Sequence, residues 1–196
     1  SWTIRSGLVG RHNAANQLAA QAIGLELGLE PQDMTGLETF IGPPGRMQRI
    51  KNPEGLHVFV DYAHTPDALD NVLFALRELD FERFVVVFGC GGDRDPGKRP
   101  LMGQSVAKYA DLAVLTSDNP RHEDPETIMQ AVLPGLALCP KVITEPDRRK
   151  ALHFALQVLG PKDALLIAGK GHENTQQIGD HKLPFSDEQV VLEYWE

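Results

Sequence analysis

The chain of 196 residues contains little cysteine, no excess of positive charge and no long apolar run. Its two cysteines, Cys90 and Cys139, form no Cys-x-x-Cys pair, so we expect reduced thiols in a cytoplasmic protein. The formal net charge of −8 argues against a nucleic-acid partner, because phosphate binding needs a basic face. No apolar segment reaches the roughly 18–20 residues that span a bilayer, and no signal peptide is visible, so we expect no membrane partner.

Beyond about residue 56, short apolar runs alternate with helical patterns. Several runs are almost continuously apolar, as in strands that are buried on both faces. This order predicts an α/β fold with a Rossmann-like, mostly parallel sheet flanked by helices. The predicted strands are His57–Asp61, Phe84–Phe88, Leu112–Thr116, Lys141–Thr144 and Ala164–Ala168.

Helix start and stop signals lie between these predicted strands. Thr65 and Asp124 are candidate N-caps, and each is followed by a proline at the first helical position. Pro134 should kink or end the second helix, and a third helix should begin near Asp147 and stop at Gly160. The residues expected to face the core are Leu69, Val72, Leu73, Leu76, Leu79, Ile128, Val132, Leu152, Leu156 and Leu159.

The first 45 residues have a different character. The pattern predicts a helix over 13–29 with Asn13 as its N-cap, and Gly42–Gly45, of sequence Gly-Pro-Pro-Gly, predicts a linker. A lone strand and helix cannot bury their apolar faces, so this segment should belong to another domain. The predicted domains are therefore 1–44 and 45–196.

Four polar loops leave the carboxyl ends of the predicted strands. Ligands of open α/β sheets bind at this edge, so these loops should line one shared pocket. The alternative is that loops are polar simply because they are exposed. The loops are Asp61–Pro66, Gly89–Lys98, Ser117–Asp124 and Gly169–Glu173.

The glycine-rich loop almost matches a P-loop. Gly92–Arg99 fits G-x-x-x-x-G-K-[ST] except at the last position, where Arg99 replaces the hydroxyl that binds magnesium. Two aspartates in the loop would also repel phosphates, so we reject a P-loop. Gly89–Gly92 lacks the third spaced glycine of a dinucleotide fingerprint, which argues against a nicotinamide dehydrogenase. What remains is a turn that presents Arg94 either to a ligand or to solvent.

The turn at Ser117–Arg121 carries charges of both signs. Pro120 stiffens the turn, Asp118 can accept a hydrogen bond from an ammonium, and Arg121 can bind a carboxylate through two parallel bonds. Such a turn suits a zwitterionic ligand. An Asx-turn with a surface ion pair is the alternative interpretation.

Two further loops contain candidate polar contacts. The glycines of Gly169–Glu173 allow close approach of a ligand to the backbone, and Glu173 can bind an ammonium. His172 and Glu173 alone make no ligand set, so we expect no metal site. Asp61 can bond a ribose hydroxyl, whereas His64 beside a helix start is more often structural than catalytic.

Seven segments of the sequence occur in the order of the successive signatures of the Mur ligases, and the chain resembles that family from about residue 10 to its end. The resemblance is closest to the ligases that add meso-diaminopimelate to UDP-MurNAc-L-Ala-D-Glu in peptidoglycan synthesis. It implies that ATP, with Mg²⁺, phosphorylates the D-glutamyl carboxylate and that the incoming amine attacks the acyl phosphate. The segments are Gly10–Asn16, Gly45–Met47, Asp61–Pro66, Gly89–Asp95, Gly97–Gly103, Asp118–Arg121 and Ala168–Glu173.

The resemblance also implies a domain organisation. Residues 45–196 would be the C-terminal, amino-acid-binding domain, and residues 1–44 would be the end of the central ATPase domain. The family's P-loop, magnesium ligands and carbamylated lysine lie upstream of this segment. The chain alone should therefore hold no catalytic residue and should be inactive, with the missing N-terminal and central domains as its partners in a monomer.

Site residues follow from the same resemblance. An arginine placed for the second carboxylate of diaminopimelate is left unpaired by lysine, and such a contact can discriminate by on the order of 10⁴. Two alternatives stay open, a glutamate ligase domain like that of folylpolyglutamate synthase and a non-catalytic amino-acid-binding module. The implied contacts are Arg94, Asp118, Asn119, Pro120, Arg121, Gly169 and Glu173 with meso-diaminopimelate, and Asn16, Arg46 and Asp61 with ATP.

Overall fold

The computed structural model describes residues 3–196, except for the side chain of His12. The chain divides into two compact units, of which the first ends at Pro43 and the second is Pro44–Glu196. Ser1 and Trp2, with which the predicted 1–44 domain begins, lie outside the described residues. The assignment of the first unit to an ATPase domain stays a prediction.

The first unit contains helix α1, Arg11–Glu26, and the short helix α2, Gly36–Thr39, with a 3-10 turn at Pro31–Met34 between them. The predicted N-cap of α1 is wrong, because the helix begins two residues before Asn13. The amide nitrogen of the Asn13 side chain donates instead to the carbonyl of Val9 at 2.7 Å. The Asn13 side chain therefore bonds a carbonyl two residues before the helix rather than a free N–H of its first turn.

The second unit is built on a six-stranded sheet. Five strands are parallel to their neighbours, and β1 at one edge is antiparallel to β2. The spatial order is β1-β2-β6-β3-β4-β5, and β7 and β8 form a separate antiparallel hairpin. The strands are β1 Gln48–Ile50, β2 His57–Asp61, β3 Phe84–Phe88, β4 Leu112–Thr116, β5 Val142–Glu145, β6 Ala164–Ala168, β7 Thr175–Ile178 and β8 His181–Pro184; the helices are α3 Pro66–Arg77, α4 Lys98–Ala107, α5 Pro125–Val132, α6 Arg148–Gln157 and α7 Asp187–Glu193.

The predicted strand bounds are confirmed for β2, β3, β4 and β6. The fifth predicted strand, Lys141–Thr144, is wrong by one residue, because β5 pairs with β4 from Val142 to Glu145. β5 is an edge strand whose side chains are half-buried or exposed. No continuous apolar run marks the ends of such a strand, which explains the shift.

The predicted helix signals are largely confirmed. Thr65, Asp124 and Asp147 each accept a hydrogen bond from the backbone N–H three residues later. α5 ends at Val132 and continues as a 3-10 turn that contains Pro134. Leu79 was predicted on the buried face of α3 but is 37% exposed, because α3 ends before it.

The core lies on both faces of the sheet. α6 and α7 contribute to an apolar cluster with the side chains that point to one face of the central strands. The alternate side chains of these strands are also buried, so the opposite face is covered too. α3 packs against α4 and α4 against α5 in a second layer. Over residues 3–196, no helix combines the length and the apolar character needed to cross a membrane.

Candidate functional site

The carboxyl ends of β2, β3, β4 and β6 meet at a cavity of about 310 Å³. Each of the four predicted loops contributes to its lining, so the expectation of one shared pocket is confirmed. Pro120 lies outside the lining and is buried. The predicted amino-acid-binding residues that line the cavity are Arg94, Asp118, Asn119, Arg121, Gly169 and Glu173.

Asp118 brings a buried carboxylate to the cavity. Only 8% of the residue is exposed, and its Oδ2 atom has no hydrogen-bond partner among the described residues. Burial raises the pKa of the Asp118 carboxyl, although Arg148 and Lys170 favour its charged form. A buried carboxylate oxygen without a donor is costly, so a ligand ammonium that reached it would find a strong partner.

Gly169 allows the Asp118 carboxylate to lie where it does. Its φ of +116° belongs to a region that residues other than glycine rarely adopt, and an added Cβ would lie 2.6 Å from Asp118 Oδ2. We therefore expect Gly169→Ala to lower the free energy of unfolding by about 2 kcal/mol and to displace Asp118. Urea denaturation of this chain measures the loss.

Gly55→Ala is the matched control for this substitution. Gly55 also has a positive φ, of +71°, but an added Cβ there would meet open space. Equal losses in the two variants would mean that backbone strain alone is responsible and that the contact with Asp118 is harmless.

Lys170 is a site residue that the sequence did not reveal. The side chain is fully buried, and its Nζ lies 3.1 Å from Asn119 Oδ1 and 3.0 Å from Glu173 Oε2. Asn119 Nδ2 donates to the same Glu173 oxygen at 3.0 Å. Burial acts to raise the pKa of Glu173, but the bonds from Asn119 and Lys170 outweigh it and the pKa is lowered. Glu173 is therefore held as a carboxylate beside the cavity.

A fully buried ion pair lies next to the ends of β4 and β6. The Arg148 guanidinium donates to Asp187 Oδ1 at 2.7 Å and Oδ2 at 2.8 Å, and both side chains have zero exposure. Arg148 also donates to the carbonyls of Ser117, at 3.4 Å, and Ala168, at 3.1 Å. It thus joins the ends of β4 and β6, from which Asp118 and Gly169 follow.

The carboxylates around Asp118 outnumber the buried cations. Three carboxylates, Asp118, Glu173 and Asp187, face the two buried cations Lys170 and Arg148, and Arg121 also acts on Glu173 from the cavity lining. An ammonium group in the cavity would add positive charge beside these carboxylates.

Two arginines bring positive charge to the cavity lining. Arg94 is exposed and Arg121 is half-buried, and both line the cavity. Arg121 Nη1 donates to the carbonyl of Gly92 at 2.6 Å, so its fork is anchored on the glycine-rich loop. A guanidinium held in this way keeps further N–H donors for a carboxylate.

The β7–β8 hairpin positions the turn that carries Asp118 and Arg121. This hairpin was not predicted from the sequence. Gln177 accepts a backbone bond from Arg121 at 3.1 Å, and Gly179 donates to the Arg121 carbonyl at 2.6 Å. The Gln176 side chain donates to the Asp118 carbonyl at 2.8 Å. The only sequence signal for the hairpin was a short glycine-containing turn between two polar segments.

The three residues predicted to contact ATP are not among those that line this cavity. Both Asp61 carboxylate oxygens accept backbone bonds, from Met47 and Ala63, at 2.7 Å each. The guanidinium of Arg46, an exposed residue, lies 5.5 Å from the centre of the Tyr62 ring. Asn16 is exposed on α1 in the first unit. Asp61 therefore fastens the segment that carries Arg46 to the end of β2.

Two further lining residues have structural surroundings. His64 Nδ1 lies 2.7 Å from the Tyr62 carbonyl, and the two rings are in edge contact. Burial raises the pKa of the Cys90 thiol to about 12, so it stays protonated. Neither arrangement is that of an activated nucleophile or base.

Comparison with known proteins identifies the domain. Residues 45–171 match the family described as Mur ligase, glutamate ligase domain. The chain belongs to this family. The match to the Mur ligase domain includes the loops after β2, β3 and β4, whereas Glu173 and the β7–β8 hairpin lie beyond its last residue.

Relatives extend the Mur ligase likeness over almost the whole chain. The chain is 62% identical over 190 residues to the UDP-N-acetylmuramoyl-L-alanyl-D-glutamate–2,6-diaminopimelate ligase of Lawsonia intracellularis, covering 97% of this chain and 39% of the relative. A solved structure of a ligase of the same name has a TM-score of 0.78 at 42% identity, with 97% and 39% covered. Folylpolyglutamate synthase of Mycobacterium tuberculosis has a TM-score of 0.62 at 26% identity, with 85% and 39% covered. The chain thus spans about two fifths of the length of the relatives it matches.

Proposed function

We propose that this Mur ligase domain binds meso-diaminopimelate for an ATP-dependent ligase that joins it to UDP-MurNAc-L-Ala-D-Glu in peptidoglycan synthesis. The observation that carries the proposal is the mixed charge of the cavity lining, in which the carboxylates of Asp118 and Glu173 and the guanidinium groups of Arg94 and Arg121 meet at one cavity. A zwitterion finds a partner there for both of its charges. The name of the Lawsonia relative, which shares 62% of its aligned residues, supports this amino acid.

Each polar group of the cavity has a role in the proposal. Asp118 and Glu173 take an ammonium group, which adds positive charge beside the buried carboxylates. Arg121, helped by Arg94, takes a carboxylate through its remaining donors. Diaminopimelate has two ammonium–carboxylate pairs, whereas lysine offers only an ammonium at its far end. Lysine would leave an arginine of the site without a partner.

ATP and Mg²⁺ belong to the proposal for the full-length enzyme. Arg46 is an exposed cation suited to phosphates. Asp61, at the end of β2, would bond a ribose hydroxyl. Asn16 would contact the base. The mycobacterial folylpolyglutamate synthase of similar fold was solved with ADP, which supports nucleotide use in this fold. ATP would supply the phosphoryl group that activates the accepting carboxylate.

We also propose that ligation needs the rest of the same protein. The chain spans 39% of the length of its relative and contains no P-loop sequence. Large apolar side chains of the first unit are exposed, as expected of part of a larger domain. Cytoplasmic location and a monomeric state stay predictions. The exposed side chains include Leu18, Ile23, Leu27 and Ile41.

A glutamate ligase domain is the second candidate function. The fold similarity to folylpolyglutamate synthase favours it. Glutamate also carries an ammonium and a carboxylate that suit the mixed charge of the cavity lining. It differs from diaminopimelate because its far end carries a carboxylate without an ammonium.

Amino-acid preference of the full-length enzyme tests the proposal. We expect kcat/KM with UDP-MurNAc-L-Ala-D-Glu and ATP to be higher for meso-diaminopimelate than for L-lysine by on the order of 10³ to 10⁴. L-Glutamate should be a still poorer substrate. A preference for glutamate would favour the second candidate, and a preference for lysine would contradict the role given to the arginines.

A further inference from the structure

Both arginines of the cavity lie at or next to a residue with a positive φ. Asp93, which precedes Arg94, has a φ of +53°, and Arg121 itself has a φ of +50°. Residues other than glycine disfavour this left-handed region, and aspartate tolerates it better than arginine does, so neighbouring contacts must above all hold Arg121 there. The position of each guanidinium therefore depends on what fastens its loop.

His122 bonds all three segments that surround these positions. Its Nδ1 lies 2.7 Å from Asp93 Oδ2 on the glycine-rich loop, and its Nε2 lies 3.2 Å from Asp180 Oδ1 in the turn of the β7–β8 hairpin. The histidine itself directly follows Arg121. One imidazole ring thus connects the loop of Arg94, the turn of Arg121 and the hairpin that holds that turn.

The ring can donate to both carboxylates only when it is protonated, because a neutral imidazole has a single N–H. The hydrogen bond with Asp93, followed by that with Asp180, raises the pKa of His122. The same bond with His122 lowers the pKa of Asp93. Arg121 and Glu123 are further charges at this junction. Glu123 is paired with Arg99 of α4 and also accepts a hydrogen bond from the backbone N–H of Asp93 at 2.6 Å, so it helps His122 to hold the glycine-rich loop.

We propose that His122 is a positioning residue, whose protonated ring fastens the three segments, holds Arg94 and Arg121 in place, and makes amino-acid binding depend on pH. The proposal rests on the proposed function of the cavity. The His122 side chain does not itself line the cavity. It acts through the backbone of the two loops.

The sign of the pH dependence follows from the raised pKa of His122. The stabilisation is complete below the ordinary pKa of 6.5 and is lost as pH rises through the higher value of the folded protein. The KM for the amino acid should therefore be lowest on the acid side. It should increase as the ring loses its proton.

Kinetics of the full-length ligase with meso-diaminopimelate test the proposal. At pH 6.5 we expect His122→Gln and Asp180→Asn each to raise the KM for this amino acid about threefold, the scale of exposed charge pairs, and to leave the KM for ATP unchanged. His122→Gln should also lose the pH-dependent part of the profile. His181→Gln, an exposed histidine on β8 of the same hairpin, is the matched control and should keep the native profile.

Amide hydrogen exchange gives a second readout that needs no substrate. Exchange at Asp93, Arg121 and Gly179 should be faster in His122→Gln than in His181→Gln at pH 6.5. Unchanged exchange at these three amides would overturn the proposal. The proposal would also be overturned if Arg121→Ala raises the KM for diaminopimelate but His122→Gln leaves that KM unchanged. If Arg121→Ala itself has no effect, the proposed function fails instead, and the exchange rates alone decide the role of His122.

Discussion

Arg121→Ala in the full-length ligase is expected to raise the KM for meso-diaminopimelate about a hundredfold while changing the KM for ATP by less than about twofold. In the proposed binding mode the substitution removes a charged donor from the ligand carboxylate, a contact on the order of 3 kcal/mol, and it leaves the proposed ATP contacts Asp61 and Arg46 intact. Steady-state kinetics with each substrate varied in turn would measure both constants. A diaminopimelate KM that stays at its native value would refute the role of Arg121.

Arg121→Lys is the conservative partner of this variant. A lysine keeps the charge but cannot bond the Gly92 carbonyl and a carboxylate through one rigid fork. We expect the lysine variant to recover only part of the loss. Full recovery would mean that a point charge is enough and that the anchored fork is unimportant.

Asp187→Asn is expected to lower the free energy of unfolding of this chain by about 3 kcal/mol, because it leaves the buried Arg148 charge without its counter-ion. The substitution adds no volume, and both side chains have zero exposure. Urea denaturation followed by circular dichroism measures the change. The loss should loosen the ends of β4 and β6 together, since Arg148 bonds both.

A second ion pair between the same two helices provides the control. Arg149 and Glu193 join α6 to α7 at 2.7 Å but remain substantially exposed. Glu193→Gln should change stability much less than Asp187→Asn, because water can solvate the arginine that is left. Similar losses in the two variants would show that burial of the Arg148–Asp187 pair has no special effect.

Much of the fold could be predicted from the sequence because the central strands are buried on both faces. β3 and β6 are uninterrupted apolar runs, β4 adds only a terminal threonine, and β2 has an apolar centre of three residues between His57 and Asp61. β5 was misplaced by one residue, since an edge strand has no such run. The β7–β8 hairpin was not predicted at all, because its segments are polar and partly exposed and show no apolar alternation.

The candidate site was predictable in its loops but not in its supporting contacts. A glycine-rich loop and a turn with Asp118 and Arg121 are visible in sequence as polar segments after strands. Lys170 was passed over, because lysine is almost never fully buried and only the fold brings Asn119 and Glu173 to its Nζ. The pairing of Arg148 with Asp187 spans 39 residues and has no local signal.

The bonds between the loops also determine how this pocket can be re-engineered. The turn at Asp118–Arg121 is hydrogen-bonded to the glycine-rich loop through Gly92 and to the hairpin through Gln177 and Gly179. A chimaera that imports this turn alone would carry the desired side chains on a backbone that nothing holds in its left-handed conformation. Specificity in this domain should therefore transfer between proteins only as a three-part cassette, with turn, loop and hairpin exchanged together.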